Sequence, residues 1–162
     1  MSSSDRRAFL LATLALAGCG FRPAYAPGGP AETLQGAIRV DDPTDKNGFD
    51  LVERLEERLG RPEAPRFDLH YRISTDIDSV GITSDNSITR YNLSGRIDFT
   101  VEDRTTGKTV DSGTVTNFTS WSATGSTVAA LVAEQDASYR LMRILADQIV
   151  TQLIATSGRW LG

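Results

Sequence analysis

Phe67-Asp68-Leu69-His70-Tyr71-Arg72-Ile73-Ser74-Thr75-Asp76-Ile77-Asp78 is the stretch that decides the architecture. Odd positions carry Phe, Leu, Tyr, Ile, Thr and Ile, and even positions carry polar side chains. Successive side chains of a strand point to opposite faces, so a period of two predicts a half-buried β-strand. His70 falls on the polar side, with no second His, Cys or acidic motif at ligand spacing, and reads as a surface residue.

Working outward, residues 80–86 form a polar connection, and a second alternating run places Tyr91, Leu93, Gly95, Ile97, Phe99 and Val101 on one face. Arg104-Thr105-Thr106-Gly107 supplies a turn, with glycine available for a positive φ. The chain returns through Val110, Val115, Phe118 and Trp121. Two registers compete. Pairing residues whose numbers sum to 212 sets Ile97 opposite Val115, Tyr91 opposite Trp121 and Phe99 over Gly113, favourable cross-strand partners. A sum of 211 matches Val101 with Val110 and Leu93 with Phe118, and a bulge between the two would satisfy both.

Beyond residue 126 the period changes. Ala137, Leu141, Ile144, Leu145, Gln148, Ile149, Gln152 and Leu153 recur at helical spacing, predicting a helix over about residues 128–155, some 40 Å long. Its length matches the hairpin, so it is expected to lie along the sheet. Upstream, residues 47–60 read as a shorter helix: Asn47 as N-cap, Val52, Leu55 and Leu59 at spacings of three and four, Gly60 as stop. Its charged side, Glu53, Arg54, Glu56, Glu57 and Arg58, reads as a solvated face. Residues 36–40 form a short strand that can pair in parallel, being joined to the next through a helix. The expected fold is therefore α+β, a two-layer sandwich with a mostly antiparallel four-stranded sheet and two helices on one face. The domain is expected to span 35–157, with 158–162 as a C-terminal tail.

Composition narrows function. The 162 residues include 17 basic and 21 acidic side chains, a formal net charge of −4. This argues against nucleic acid as a partner, which calls for a clustered basic excess. A single histidine and a single cysteine exclude a disulfide framework, a Cys/His zinc site and a multi-histidine metal centre. No nucleophile elbow, phosphate-binding loop or zinc-protease helix motif is present. The chain reads as a non-enzyme without metal or cofactor.

The N-terminus has the layout of a secretory signal: Arg6 and Arg7, a short apolar run over residues 8–17, then a small residue. Ten residues are too few to span a hydrocarbon core, which needs about 20. Leu16-Ala17-Gly18-Cys19 resembles the bacterial lipobox. That resemblance implies removal of residues 1–18, a diacylglycerol on the Cys19 sulfur and an acyl chain on its new amino group. Two or more chains anchor stably where one does not. Gly20, where the enterobacterial inner-membrane retention signal has aspartate, implies sorting to the outer membrane. Arg6-Arg7-Ala8-Phe9-Leu10 is similar to a twin-arginine core, so either export route fits. The mature chain would hold 15 basic and 20 acidic side chains, net −5. Residues 19–34, with Pro23, Pro27, Pro30, Gly20, Gly28 and Gly29, read as a tether that holds neither helix nor central strand.

The polar side of the hairpin carries Arg90, Asn92, Ser94, Arg96, Asp98, Thr100 and Glu102, with Arg104 and Lys108 near the turn. Such cations can pair with phosphate or sugar carboxylate groups, or serve solubility alone.

Cys19-Gly20-Phe21-Arg22-Pro23-Ala24-Tyr25 resembles the C-G-F-x-P/L-x-Y start of mature lipopolysaccharide-assembly lipoproteins of the LptE family. The helix start Val128-Ala129-Ala130-Leu131-Val132-Ala133-Glu134-Gln135-Asp136-Ala137 is similar to the family's alphaproteobacterial branch. The resemblance implies a lipid-anchored domain on the periplasmic face of the outer membrane. It implies a partner, the LptD β-barrel, which the domain plugs and helps to assemble, and support of lipopolysaccharide delivery to the surface. It also implies lipopolysaccharide as a direct ligand, for which Arg90, Arg96, Arg104 and Lys108 are the candidate contacts. A different class, an auxiliary lipoprotein of an ABC-type lipid transporter, shares the lipobox; a periplasmic hydrolase would need His70 beside a serine and a carboxylate.

Overall fold

The computed structural model describes residues 24–82, 88–123 and 126–161. Helix α1 (Pro30–Leu34) precedes strand β1 (Ile38–Val40), helix α2 (Lys46–Leu59), strands β2 (Phe67–Ile82), β3 (Ile88–Asp103) and β4 (Lys108–Ser122), and helix α3 (Thr127–Thr156). The sheet runs β1-β2-β3-β4, with β1 parallel to β2 and the remaining pairs antiparallel. The α+β architecture is the one expected, with α2 and α3 forming the helical layer.

Both registers of the β3–β4 hairpin are present, and they are unequal. The pairing that sums to 212 holds from Arg90 opposite Ser122 to Val101 opposite Asp111; one shift then leaves Glu102 opposite Thr109 and Asp103 opposite Lys108. The bulge is at Val110, beside the turn, where strain in the ladder is easiest to absorb. Leu93 therefore faces Thr119, and Phe118 sits opposite Ser94 on the outer face, 61% exposed, instead of completing the core.

The alternation of β2 buries less than its pattern suggests. Phe67 and Leu69 are buried, Tyr71 and Ile73 partly, and Thr75 and Ile77 are exposed. A period of two reports which residues share a face, and burial further requires a helix above them.

Helix α3 covers β3 and β4. Ala137, Leu141, Leu145, Ile149 and Leu153 are fully buried, as their spacing suggested. Ile144 is partly solvent-exposed, and Gln148 and Gln152 are only half-buried, whereas Met142, Ala146 and Val150 are buried. The apolar stripe is rotated because α3 has a second neighbour: α2 lies alongside it and buries the row spaced by four. Close approach to the sheet depends on Gly95, where a Cβ would lie 2.9 Å from both Leu141 Cδ2 and Leu145 Cδ1. The buried Thr119 hydroxyl donates to the Ala137 carbonyl at 2.8 Å, tying β4 to α3.

Helix α2 starts two residues earlier than expected. Its N-cap is Asp45, whose carboxylate accepts from the Gly48 N–H at 2.7 Å; Asn47 lies within the first turn and accepts from the Ser138 hydroxyl at 2.7 Å. Gly60 ends the helix at φ 75°. The proline-rich stretch does hold a helix: Pro30 opens α1, a position where its missing N–H costs nothing, and Leu34 is fully buried. The described part of the expected tail, residues 158–161, likewise joins the body: Trp160 packs edge-on against Phe67 with ring centroids 4.9 Å apart. No helix among the described residues is long and apolar enough to cross a membrane.

Candidate functional site

Between the register shifts, even-numbered residues of β2, β3 and β4 line the outer face of the sheet, which none of the described helices covers. Adjacent rows read Asp76, Ser94, Phe118; Ser74, Arg96, Thr116; and Arg72, Asp98, Thr114. The face is built of hydroxyls and charges around one exposed aromatic ring. A shallow hollow of about 590 Å³ lies here, lined by Ser74, Asp76, Ser94, Arg96, Thr116 and Phe118 among others.

Arg96 organises the centre. Its Nη2 donates to Asp98 Oδ1 at 2.6 Å and to Thr114 Oγ1 at 3.1 Å, and its Nε donates to Asp98 Oδ2 at 3.1 Å. The hydrogen bond from Arg96, then that from Thr114, holds the Asp98 carboxyl below its usual range. Part of the Arg96 charge is thus neutralised locally.

The four cations singled out in the sequence are not brought together. Arg90 and Arg96 share the outer face but are separated by ~20 Å of strand. Arg104 lies past the end of β3, its Nε 3.5 Å from Asp68 Oδ2. Lys108 sits across the turn, opposite Asp103. The Asp103 carboxylate accepts from the Thr105 and Thr106 N–H groups at 2.8 and 2.9 Å, and these bonds, Thr106 foremost, depress its pKa. From Arg90 to Arg104 the strand spans ~45 Å. Only Arg96 borders the hollow.

Sequence reasoning missed a cluster on the helical layer. Arg54 on α2 donates to both carboxylate oxygens of Asp147 on α3 at 3.0 Å, Arg58 adds a bond of 2.8 Å, and Glu57 accepts from Arg54 at 2.8 Å and Arg143 at 3.2 Å. These bonds, Asp147 first and Glu57 second, push Arg54 still higher than its ordinary range, and Arg54 holds the Glu57 carboxyl low. The partners are 93 residues apart, and no local signal in the sequence announces them.

His70 is half-exposed, with Nδ1 2.9 Å from Asp41 Oδ2. The hollow beside it is lined by Tyr71, Arg72, Asp98, Phe99 and Thr100, with no serine. Among the described residues no group of three or more His, Cys, Asp or Glu side chains could hold a metal ion. Leu16, Ala17, Gly18 and Cys19 lie outside the described residues. The described chain begins at Ala24, and the Tyr25 hydroxyl accepts from Arg58 Nη2 at 3.2 Å. The N-terminal segment therefore joins the body near the C-terminal ends of α2 and α3, where Tyr25, Ala31, Arg58, Val150 and Ile154 line one hollow.

The family model of LptE, lipopolysaccharide-assembly, matches residues 36–153, from two residues before β1 into the last turn of α3. The chain belongs to the LptE family. Among solved structures, a lipoprotein from Caulobacter crescentus CB15 is similar with a TM-score of 0.63 at 20% identity, covering 80% of this chain and 95% of that one. The rare lipoprotein B from Shewanella oneidensis superposes with a TM-score of 0.59 at 13% identity, over 78% and 98% of the two chains. A minor lipoprotein from Acinetobacter baumannii gives 0.55 at 19% identity, over 74% and 90%. At these identities the likeness is one of fold, and the LptE membership rests on the family match. No curated protein matches the chain in sequence.

Proposed function

We propose that this LptE-family chain is an outer-membrane lipoprotein that plugs an LptD-type β-barrel, helps it assemble and supports delivery of lipopolysaccharide to the cell surface. The observation that carries the reading is the family match over residues 36–153. The fold suits the task. The lumen of a large outer-membrane barrel is polar, and the outer sheet face offers hydroxyls and charges rather than an apolar surface. The cross-helix ion pairs stiffen the other layer, so the domain enters as a preformed body.

Cys19 is the proposed attachment point, carrying a diacylglycerol and an N-acyl chain in the periplasmic leaflet. From Cys19 to Ala24 the backbone reaches at most ~17 Å, which holds the α2 and α3 C-terminal ends close to that leaflet. Direct contact with lipopolysaccharide is proposed at Arg96, beside the hydroxyl-lined hollow; Arg90, Arg104 and Lys108 are too dispersed to act with it on one headgroup. Depletion of the protein tests the function: LptD-type barrel maturation should fail and surface lipopolysaccharide should fall, and normal maturation would overturn the reading.

A further inference from the structure

Strand β4 is an edge of the sheet, and one hydrogen bond fixes which of its backbone groups face outward. The Ala123 N–H donates to the Thr89 carbonyl at 2.9 Å. Between there and the bulge, odd-numbered residues of β4 therefore exchange hydrogen bonds with β3, and even-numbered residues turn their N–H and C=O groups to the open edge. The chain covers two of these groups itself. The Ser112 N–H donates to Asp111 Oδ1 at 3.0 Å, and the Phe118 N–H donates to Asn117 Oδ1 at 2.8 Å. Between these caps the Thr114 and Thr116 N–H groups have no partner among the described residues. Open edges are ordinarily guarded by charge or proline. Strand β2, past Leu69 where β1 stops, carries His70, Arg72, Asp76 and Asp78. Residues 112–122 of β4 hold neither charge nor proline.

The unguarded stretch borders a hollow of about 600 Å³, lined by Thr114, Val115 and Thr116 on the strand and by Ile144, Gln148 and Thr151 on α3 among others. Gln148 Oε1 is buried without a hydrogen-bond partner among the described residues, and Ile144 is 37% exposed. A strand added ~4.8 Å outside β4 would enter this hollow. Its carbonyls would accept from Thr114 and Thr116, and an inward hydroxyl or amide would donate to Gln148. We propose that the β4 edge between Ser112 and Phe118 is a strand-addition site for a short, uncharged, extended segment of another protein. The proposal does not rest on the function proposed above. Geometry decides against a second copy of this chain. Helix α3 lies mainly over β4, so two copies paired edge to edge would bring their α3 helices to ~5 Å from one another. Packed helices need ~8–10 Å. A lone strand brings no helix.

The test uses the full-length, isotope-labelled chain in detergent and, as probe, an acetylated and amidated hexapeptide of alternating threonine and valine. Titration should shift the Thr114 and Thr116 amide resonances saturably, and the fully N-methylated peptide, which cannot pair with an edge, should bind ~10-fold less tightly or worse. Thr116→Pro removes an N–H that faces away from the ladder, a position where an edge strand accepts proline. It should keep the melting temperature within about 3 °C and abolish the peptide-induced shift at Thr114. If that variant melts earlier, the N-methylated peptide decides on the unaltered protein. Equal binding of the two peptides, shifts confined to other strands, or no saturable shift overturns the proposal. Shifts at Thr114 and Thr116 that grow with protein concentration alone would assign the edge to a second copy and overturn it as well.

Discussion

Arg54 and Asp147 form a fork of two parallel hydrogen bonds, each 3.0 Å, across the interface of α2 and α3. The Arg54 side chain is largely buried there, while Asp147 keeps partial access to water. Charge-assisted bidentate pairs of this kind are stronger than ordinary surface bridges, although solvent screening limits them. Removing the acceptor with Asp147→Ala should cost about 1 kcal/mol, which for a domain of this size lowers the melting temperature by ~3–5 °C. Circular dichroism melting checks it, and Asp78→Ala, exposed on the outer face of β2, should leave the melting temperature within about 1 °C.

Acid should destabilise the domain over a definite range. Glu57, Asp98 and Asp103 all have carboxyls held below their ordinary values, by Arg54, by Arg96, and by the Thr106 N–H respectively. A folded-state pKa below the unfolded one means the folded protein binds protons less readily. That stabilisation is complete above the unfolded value near ~4 and is lost as pH falls through the folded values. Urea midpoints should be level between pH 7 and about 5 and decline below about 4. Glu57→Gln should make that decline shallower.

Gly95 lies on the sheet where Leu141 and Leu145 of α3 pack against it. A methyl group there would press on Leu141 and Leu145, so Gly95→Ala should destabilise by about 1–3 kcal/mol through overpacking. Gly158→Ala meets nothing within 4 Å and should be close to neutral. Comparison of the two melting curves separates packing from glycine entropy.

Phe118 and Phe99 offer a reciprocal pair. Phe118→Ser should change stability by less than about 0.5 kcal/mol, because the ring already stands in solvent. Phe99→Ala should cost about 3–5 kcal/mol, because the ring is buried under α3. Chemical denaturation of both variants checks the register of β3 against β4 directly.

The strands and the long helix were legible because each follows its own period. Ile97 with Val115 and Tyr91 with Trp121 support one of the two registers that compete in the sequence, and the Tyr91 and Trp121 rings do stack, with centroids 5.2 Å apart. A bulge between the two registers is legible in kind but not in place, and its position at Val110 sets Phe118 opposite Ser94 rather than Leu93. Periodicity within one element is blind to neighbours far along the chain. The burial of Met142, Ala146 and Val150 and the Arg54–Asp147 fork both depend on α2 lying beside α3, and neither has a local signature. The basic candidates were readable as residues, but their dispersal along ~45 Å of strand follows only from the fold.

The role proposed for this LptE-family chain is that of the lipid-anchored partner of an outer-membrane barrel. Its most direct test is affinity capture of the tagged, full-length protein from detergent-solubilised outer membranes. An LptD-type barrel should be recovered in near-equal amount, with Cys19 acylated as the first residue. Recovery of inner-membrane ATPase components and no barrel would contradict it.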